Sequence, residues 1–322
     1  MKYLKGQLHL HTTMSDGQWT PQQVADGYRE NGYDFIVMTD HDTNYDPYKY
    51  IEKRDDFLCI PGSERETDGF NEFLAHTSQI HVNALAYLGK FVCPEKTDNI
   101  SQGLNNYIKA IYDCGALPTV NHPSWSWPDP YAYDYKHLLD VKYPFVLEVK
   151  NFCAGNHSVG NMAWENTEYT WDTLLTAGKA VLCDFSDDAH NYAIEVRDMK
   201  DSFHTPFNAA VMVKADLSFE SIRDSIKNGD FYATTGIELD NYEVSEKGIY
   251  VKIKEEENIA YTVTVKGRMG RPLAWGVGGE FEYKFKGIPD EEYVRVKVIS
   301  NDFKYLMCQP VFQDGHKIVL KI

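Results

Sequence analysis

Short apolar runs alternate with helical patterns over the first two thirds of the chain. Most runs are continuous rather than alternating, which is typical of parallel strands covered on both faces. A clear helix start is Thr20-Pro21, an N-cap residue followed by proline at the first helical position. This alternation predicts an α/β layer or barrel fold. The predicted strands cover residues 3–11, 35–39, 57–61, 81–88, 117–121, 145–149, 180–184 and 209–213, and the predicted helices cover 20–31, 101–114, 170–177 and 218–227.

The pattern changes near residue 237. From Asn241 onward, apolar and polar residues alternate in short runs separated by turns rich in glycine and aspartate. Such runs predict a small antiparallel β-sandwich. We therefore predict two domains, an α/β domain over residues 1–236 and a β-sandwich domain over residues 237–322.

The net charge of the chain disfavours two classes of binding partner. The 322 residues carry 48 acidic and 32 basic side chains, a net charge of −16. This balance disfavours a long nucleic acid and an anionic membrane surface as partners. The chain shows neither a signal-peptide run nor an apolar stretch long enough to span a bilayer. Six cysteines are scattered singly, so we interpret them as buried free thiols and expect a cytoplasmic protein.

Histidines and carboxylates fall near the ends of the predicted strands. In α/β barrels the site is built at the carboxyl ends of the strands, so these side chains should converge. Imidazole and carboxylate ligands suit Zn²⁺, Mn²⁺ or Fe²⁺, and nine of them suit two or three ions that share one carboxylate. The predicted ligands are His9, His11, Asp16, His41, Glu64, His81, His122, Asp188 and His190.

A single histidine on a strand is more often a hydrogen-bonded core residue than a metal ligand. Nine candidates on successive strands do not readily arise by accident, and this favours a multinuclear metal site. His81 departs from the pattern because it opens an apolar run instead of closing one. The histidines at positions 76, 137, 157, 204 and 316 are not predicted to bind metal.

The ordered motifs resemble those of the PHP (polymerase and histidinol phosphatase) superfamily over about residues 1–236. Finer features resemble the branch with carbaryl-esterase-type hydrolases and small stand-alone phosphoesterases, namely His81–Leu85, Glu148–Asn151 and Phe231–Gly236. The superfamily motifs are His9-Leu10-His11, Ser15-Asp16-Gly17, Thr39-Asp40-His41, Gly62-Ser63-Glu64, His81, His122-Pro123 and Asp188-Ala189-His190.

The resemblance implies a distorted seven-stranded (β/α) barrel with a centre of two or three metal ions. Glu64 is the implied bridge between two ions. By the resemblance, His9, His11, Glu64 and Asp188 hold the first ion, Glu64, His81 and His122 the second, and Asp16, His41 and His190 the third.

We expect hydrolysis by a metal-bridging hydroxide, without a covalent intermediate. Asp40 is a candidate for orienting a ligating histidine, with a simple turn residue as the equal alternative. His157 is a candidate general acid. Arg65, Lys150, Asn151 and Arg197 are candidate substrate contacts, each weighed against an ordinary surface interaction.

The leading hypothesis is a metal-dependent phosphoesterase acting on a small-molecule phosphate ester such as a nucleotide or sugar phosphate. The first alternative is hydrolysis of a carboxyl or carbamate ester at the same ions. If Arg65 and Arg197 face the metals, phosphate is favoured. The second alternative is a non-enzymatic binding protein with structural metals. The sequence leaves a homo-oligomer open.

Overall fold

The computed structural model describes residues 2–67, 70–73, 76–124, 133, 135–152, 166–192, 205–312, 315 and 317–321. It has a mixed α/β fold. The α-helices are α1 (Pro21–Glu30), α2 (Ile100–Asp113), α3 (Tyr135–Leu139), α4 (Thr167–Thr176) and α5 (Phe219–Lys227). Short 3₁₀ turns cover Pro47–Lys49, Arg268–Gly270 and Pro289–Glu291.

The strands of the α/β part follow the predicted order, with an added hairpin formed by β4 and β5. They are β1 (Lys2–Gln7), β2 (Phe35–Met38), β3 (Leu58–Glu66), β4 (Phe70–Phe73), β5 (His76–Ser78), β6 (His81–Leu85), β7 (Leu117–Val120), β8 (Phe145–Asn151), β9 (Val181–Ser186), β10 (Ala210–Ala215) and β11 (Phe231–Thr234). The C-terminal strands are β12 (Leu239–Ser245), β13 (Gly248–Ile253), β14 (Tyr261–Lys266), β15 (Pro272–Val277), β16 (Glu280–Lys284), β17 (Tyr293–Ser300), β18 (Tyr305–Cys308) and β19 (Val311–Phe312).

The helix starts follow the capping signals. The Thr20 side chain accepts a hydrogen bond from the Gln23 amide, and the Gln23 side-chain oxygen accepts one from the Thr20 amide, which completes a capping box. Asn99 caps α2 by accepting from the backbone of Gln102. These caps fix where α1 and α2 begin, and both helices start within one residue of the predicted positions, whereas α4 begins three residues before its predicted start at residue 170.

Strand β6 runs against the predicted parallel order. β1, β2 and β3 pair in parallel, as do β7, β8 and β9, but β6 is antiparallel to both β3 and β7. The amino end of an antiparallel strand lies beside the carboxyl ends of its neighbours. His81, the first residue of β6, therefore lies at the same end of the sheet as the other candidate ligands.

The sheet curls so that β9 returns to β1. Leu10 forms an isolated parallel bridge with Ala189, the Asp188 amide donates to the His9 carbonyl at 3.0 Å, and the His11 amide donates to the Ala189 carbonyl at 2.9 Å. The result is a barrel-like arrangement. The closing contacts involve the candidate ligands themselves, so the site lies where the sheet joins.

The C-terminal strands continue the same sheet and add a second one. β18 pairs with β11 and β17, and β14 and β15 extend the sheet to its edge, while β12, β13 and β16 form a separate three-stranded sheet. Apolar side chains from both sheets form a common core, including Val251 and Val263. The predicted boundary at residue 237 falls between β11 and β12, and Lys317 forms an isolated bridge with Val311 near the end of the chain.

Cluster A, a buried ionic cluster, joins α4 to the C-terminal sheet. The fully buried Arg295 of β17 donates from Nε and Nη2 to the two carboxylate oxygens of Asp172, both at 2.7 Å, and from Nη2 to Glu168 at 2.8 Å. Its guanidinium also lies 4.7 Å from the ring centre of Trp171. Lys297 and Lys266 add further contacts to Glu168, at 2.6 and 2.9 Å.

The burial of the cysteines can be compared with the prediction of buried free thiols. Cys59, Cys183 and Cys308 are buried free thiols as predicted. Cys93 is exposed and Cys114 is half-buried, so the prediction of burial is wrong for these two residues, and Cys153 lies outside the described residues. Within the described residues, no helix combines the length and apolar character needed to cross a membrane.

Candidate metal centre

The candidate ligands converge on one cavity at the barrel end where the strands finish and β6 begins. The cavity has a volume of about 310 Å³. Two of its lining carboxylates are buried, Glu64 on β3 and Asp188 two residues after the end of β9. It is lined by Asp16, His41, Glu64, His81, His122, Asp188, His190 and Asn191.

Four fully or almost fully buried side chains form the first group of donor atoms, namely His9, His11, Glu64 and Asp188. Oε2 of Glu64 lies 3.1 Å from Nε2 of His9 and 3.2 Å from Nε2 of His11. Oδ1 of Asp188 lies 3.3 and 3.2 Å from the same two nitrogens. Two imidazoles and two carboxylates therefore face a single point.

The second group uses the other oxygen of Glu64. Nδ1 of His81 lies 3.1 Å from Oε1 of Glu64, and Nε2 of His122 lies 3.5 Å from it. The two carboxylate oxygens of Glu64 thus face two different sets of histidines. This is the arrangement that a bridging carboxylate requires.

The third group lies nearer the surface. Oδ1 of Asp16 is 3.4 Å from Nε2 of His190 and 3.7 Å from Nε2 of His41, and the Asp16 side chain is 57% exposed. Nδ1 of His11 also lies 3.7 Å from this oxygen. The loop that carries Asp16 is tight, because a Cβ on Gly17 would lie 2.5 Å from the backbone of His11.

The donor set fits divalent ions. Ligand bonds of about 2.0–2.2 Å in a tetrahedral site place neighbouring donor atoms roughly 3.4 Å apart. The Nε2 atoms of His9 and His11 are only 3.2 Å apart, which suits two lone pairs directed at a cation. Nδ1 of His9 lies 2.8 Å from Glu148, so that nitrogen carries the proton and Nε2 is left as the donor to an ion.

The histidines and carboxylates of the centre shift one another's pKa values. Burial lowers the pKa of His9, but the carboxylates of Asp188 and Glu64 outweigh it and raise the pKa well above its usual value. In the same way, burial is outweighed at His41, whose pKa is raised to about 10, chiefly by Glu64. The imidazoles in turn hold the pKa of Glu64 well below its usual range despite complete burial. A divalent ion would replace the protons that balance these carboxylates.

Two donor residues have strained backbones. His122 and Asp188 adopt positive φ values of 22° and 47°, in the region that residues other than glycine rarely occupy. Strain of this kind is retained where the surroundings hold a functional side chain in place.

Glu148 belongs to the centre, although sequence reasoning gave it no role. Its carboxylate lies 2.8 Å from Nδ1 of His9, accepts from the His122 amide at 2.6 Å and from Asn151 at 2.9 Å, and makes a short hydrogen bond with Ser186. It therefore fixes two ligands at once. Its position in the middle of an apolar run could have indicated this role, because a charge in such a run is buried only when it is paired.

Further polar groups support the candidate ligands. The buried Asn121 donates to Oε1 of Glu64 at 2.7 Å and to the side-chain oxygen of Asn83 at 3.0 Å. Glu66, two residues after Glu64 on the same strand face, makes a short ion-pair contact with Nδ1 of His41. Neither Asn121 nor Glu66 was predicted.

Asp40 organises the loop that leads to Asp16. Its fully buried carboxylate accepts from the amide of Thr12 at 2.7 Å, from the hydroxyl of Ser15 at 2.9 Å and from that of Tyr45 at 2.6 Å. These bonds hold the loop rather than an imidazole. The predicted role in orienting a ligating histidine is therefore replaced by one in positioning the Asp16 loop.

The predicted substrate contacts separate into three cases. Asn151 lies in the centre, 3.1 Å from Asp188. Lys150 points the other way, with its ammonium 4.8 Å from the ring centre of Tyr305, because neighbouring strand residues face opposite sides. His157 and Arg197 lie outside the described residues.

Arg65 does not reach the donor atoms. It follows Glu64 on β3 and therefore faces the opposite side of the strand. Its guanidinium donates to the carbonyl oxygen of Asp42 and to the hydroxyl of Tyr87, both at 2.9 Å. A direct clamp on an anion bound between the ligand groups is not available to Arg65 in this position.

Comparison with known proteins gives distant structural neighbours. No protein-family model and no curated protein sequence matches the chain. A two-domain protein from Bacteroides vulgatus, containing a predicted PHP-like metal-dependent phosphoesterase, is 16% identical, with 98% of this chain and 93% of that chain covered and a TM-score of 0.46. An amidohydrolase from Chromobacterium violaceum is 14% identical, with 62% and 88% covered and a TM-score of 0.37.

Proposed function

We propose that the chain is a metal-dependent hydrolase of the PHP superfamily, with a barrel of seven strands, that cleaves a small-molecule phosphate ester. The observation that carries the proposal is the geometry of Glu64, whose two oxygens face two sets of histidines. A third set around Asp16 allows a further ion. Divalent ions bound there supply Lewis acidity and an activated water for in-line attack on phosphorus.

The chain's own residues prepare this chemistry. Glu148 fixes the tautomer of His9 and holds the His122 amide, so ligands on two strands keep one geometry. Asn151 donates to Asp188 and Glu148 and thereby orients both carboxylates. Asp16, whose side chain is the most exposed of the candidate ligands, lies at the open side of the cavity, and an incoming substrate would meet it first.

A second candidate activity is hydrolysis of a carboxyl or carbamate ester at the same centre. It is favoured by Arg65, whose guanidinium is held by Asp42 and Tyr87 instead of facing the ligand groups. A carboxyl ester is uncharged and needs no arginine to bind it. The negative charge of a phosphate ester would have to be balanced by the metal ions alone.

The experiment is a substrate panel with purified protein loaded in turn with Zn²⁺, Mn²⁺ or Fe²⁺. Phosphate monoesters, phosphate diesters, carboxyl esters and carbamates are compared in wild type and in His11→Ala. We expect release of phosphate that is lost in His11→Ala. Cleavage of carboxyl esters or carbamates alone would establish the second candidate, and cleavage of no ester by metal-loaded protein would overturn both.

A further inference from the structure

A second cavity, which we call the side cavity, lies directly beside the candidate metal centre. It has a volume of about 470 Å³. Asp42 and Arg65, which line it, directly follow the candidate ligands His41 and Glu64 in the chain. Glu66 lines the side cavity and contacts His41, which lines the cavity of the metal centre, so this contacting pair links the two cavities.

The walls of the side cavity are fixed by hydrogen bonds. The hydroxyl of Tyr107 donates to the Glu66 carbonyl at 3.1 Å, and the hydroxyl of Thr67 accepts from the Ile80 amide at 3.0 Å. The guanidinium of Arg65 is held by its two oxygen acceptors and lies 4.7 Å from the ring centre of Phe91. The cavity is therefore bounded by side chains that already have defined positions.

The charge of the side cavity is opposite to that expected for a metal-loaded centre. Two cations line it, and one of them, Arg65, is already engaged by protein oxygens. Four carboxylates line it as well, which gives a net charge of −2; the charged residues are Asp42, Arg65, Glu66, Glu95, Lys96 and Asp98. A group carrying a second phosphate would be repelled, whereas an ammonium or an uncharged hydroxylated group would be accepted.

We propose that the side cavity binds the alcohol portion of the substrate, and that this portion is cationic or uncharged and carries no second phosphate. This inference rests on the proposed phosphoesterase function. In the reaction, water attacks phosphorus, the phosphorus–oxygen bond to the alcohol breaks, and the alcohol leaves from the side cavity with a proton from that water. Substrate selection then comes from the side cavity, and phosphate binding from the metal centre.

The test compares ethanolamine phosphate, glycerol phosphate and fructose 1,6-bisphosphate with metal-loaded protein. The variant Glu95→Lys/Asp98→Lys reverses two exposed lining charges and changes the net charge of the side cavity from −2 to +2. The matched control, Asp240→Lys/Glu257→Lys, makes the same change in total charge at exposed positions of the C-terminal strands and turns. Alkylation of Cys93, an exposed thiol that lines the side cavity, reports occupancy without requiring turnover.

We expect wild type to prefer ethanolamine phosphate over the bisphosphate at least tenfold in kcat/KM. The Lys variant should lower this ratio at least fivefold, while the control leaves it within twofold. Ethanolamine phosphate should slow Cys93 alkylation in wild type. The inference would be overturned if the Lys variant leaves the kcat/KM ratio unchanged and ethanolamine phosphate does not protect Cys93. Release of phosphate in that case would still uphold the proposed function. Protection of Cys93 without phosphate release would uphold the binding site and overturn the function.

Discussion

Two buried clusters of charged side chains lie in this molecule, and they balance charge in different ways. In cluster A, the chain supplies its own cation, because Arg295 is bonded to Asp172 and Glu168. In the candidate metal centre, the described ion pairs of the buried carboxylates Glu64 and Asp188 are all with histidines.

The difference distinguishes a structural cluster from a binding site. A guanidinium carries a permanent charge, so cluster A is complete in every folded molecule. Imidazoles carry charge only when they are protonated, and their lone pairs otherwise need a cation. Stability should therefore depend on Arg295 whether or not metal is supplied, but on the metal centre only when ions are bound there.

Removing the cation of cluster A should give the largest effect. Arg295→Met leaves Asp172 buried without its partner, and breaking such a pair costs about 3–5 kcal/mol. Urea unfolding measures the loss. The control Arg268→Met removes an exposed pair with Glu292 and should cost less than about 1 kcal/mol. Equal losses in the two variants would contradict the account of cluster A.

Removing metal should lower stability by a smaller amount. An ion present at one hundred times its dissociation constant stabilises the folded chain by about 2.7 kcal/mol. Chelation should therefore lower the Tm of wild type, and Zn²⁺ or Mn²⁺ should restore it. In Glu64→Gln, which lacks the bridging carboxylate, chelation should lower the Tm by less than in wild type. A chelator effect of the same size in that variant would argue for binding elsewhere.

Removing a side chain that holds a candidate ligand in place should have a smaller effect, a reduced affinity for metal. Glu148→Gln loses the charged partner of His9, and changes of this kind typically cost about 10–100-fold in affinity. Competition with a chromophoric chelator measures it. Asp184→Asn is the matched control on β9, because Asp184 is fully buried but belongs to none of the three groups of candidate ligands, and burial raises its pKa well above the usual value. If both variants weaken metal binding equally, Glu148 has no special role.

Acid should affect cluster A least and in a defined direction. Burial raises the pKa of Glu168, but Arg295 and the neighbouring lysines outweigh it and hold the pKa below 4.5. A carboxylate with a lowered pKa contributes stability that is present above its unfolded pKa and is lost as pH falls through the folded value. Unfolding measured from pH 6 down to pH 3 should show this loss below about pH 4.5, near the unfolded glutamate pKa. Glu168→Gln should flatten that part of the curve.

The sequence predicted which histidines and carboxylates converge, because side chains at strand ends leave a pattern in chain order. The groupings implied by the PHP resemblance are the groups that the structure brings together, with His11 also close to the third. The reversal of β6 could not be predicted from its apolar run, since a short apolar run does not reveal strand direction. The position of His81 at the start of that run was the feature of the sequence that reflected the reversed direction of β6.

Side-chain direction was the main source of error. Arg65 follows a candidate ligand in the sequence, yet strand alternation turns it to the opposite face. Lys150 differs from Asn151 for the same reason. Glu148 and Glu66 were missed because their importance depends on contacts with His9 and His41, which lie on distant strands.

The central claim is that Glu64 joins two metal sites. The most direct measurement is the number of metal ions per chain in wild type and Glu64→Gln, by elemental analysis after equilibration with Mn²⁺ or Zn²⁺. The account predicts at least two ions in wild type and the loss of at least one in Glu64→Gln, with the fold retained by circular dichroism. An unchanged number of ions in the variant, or none in wild type, would contradict it.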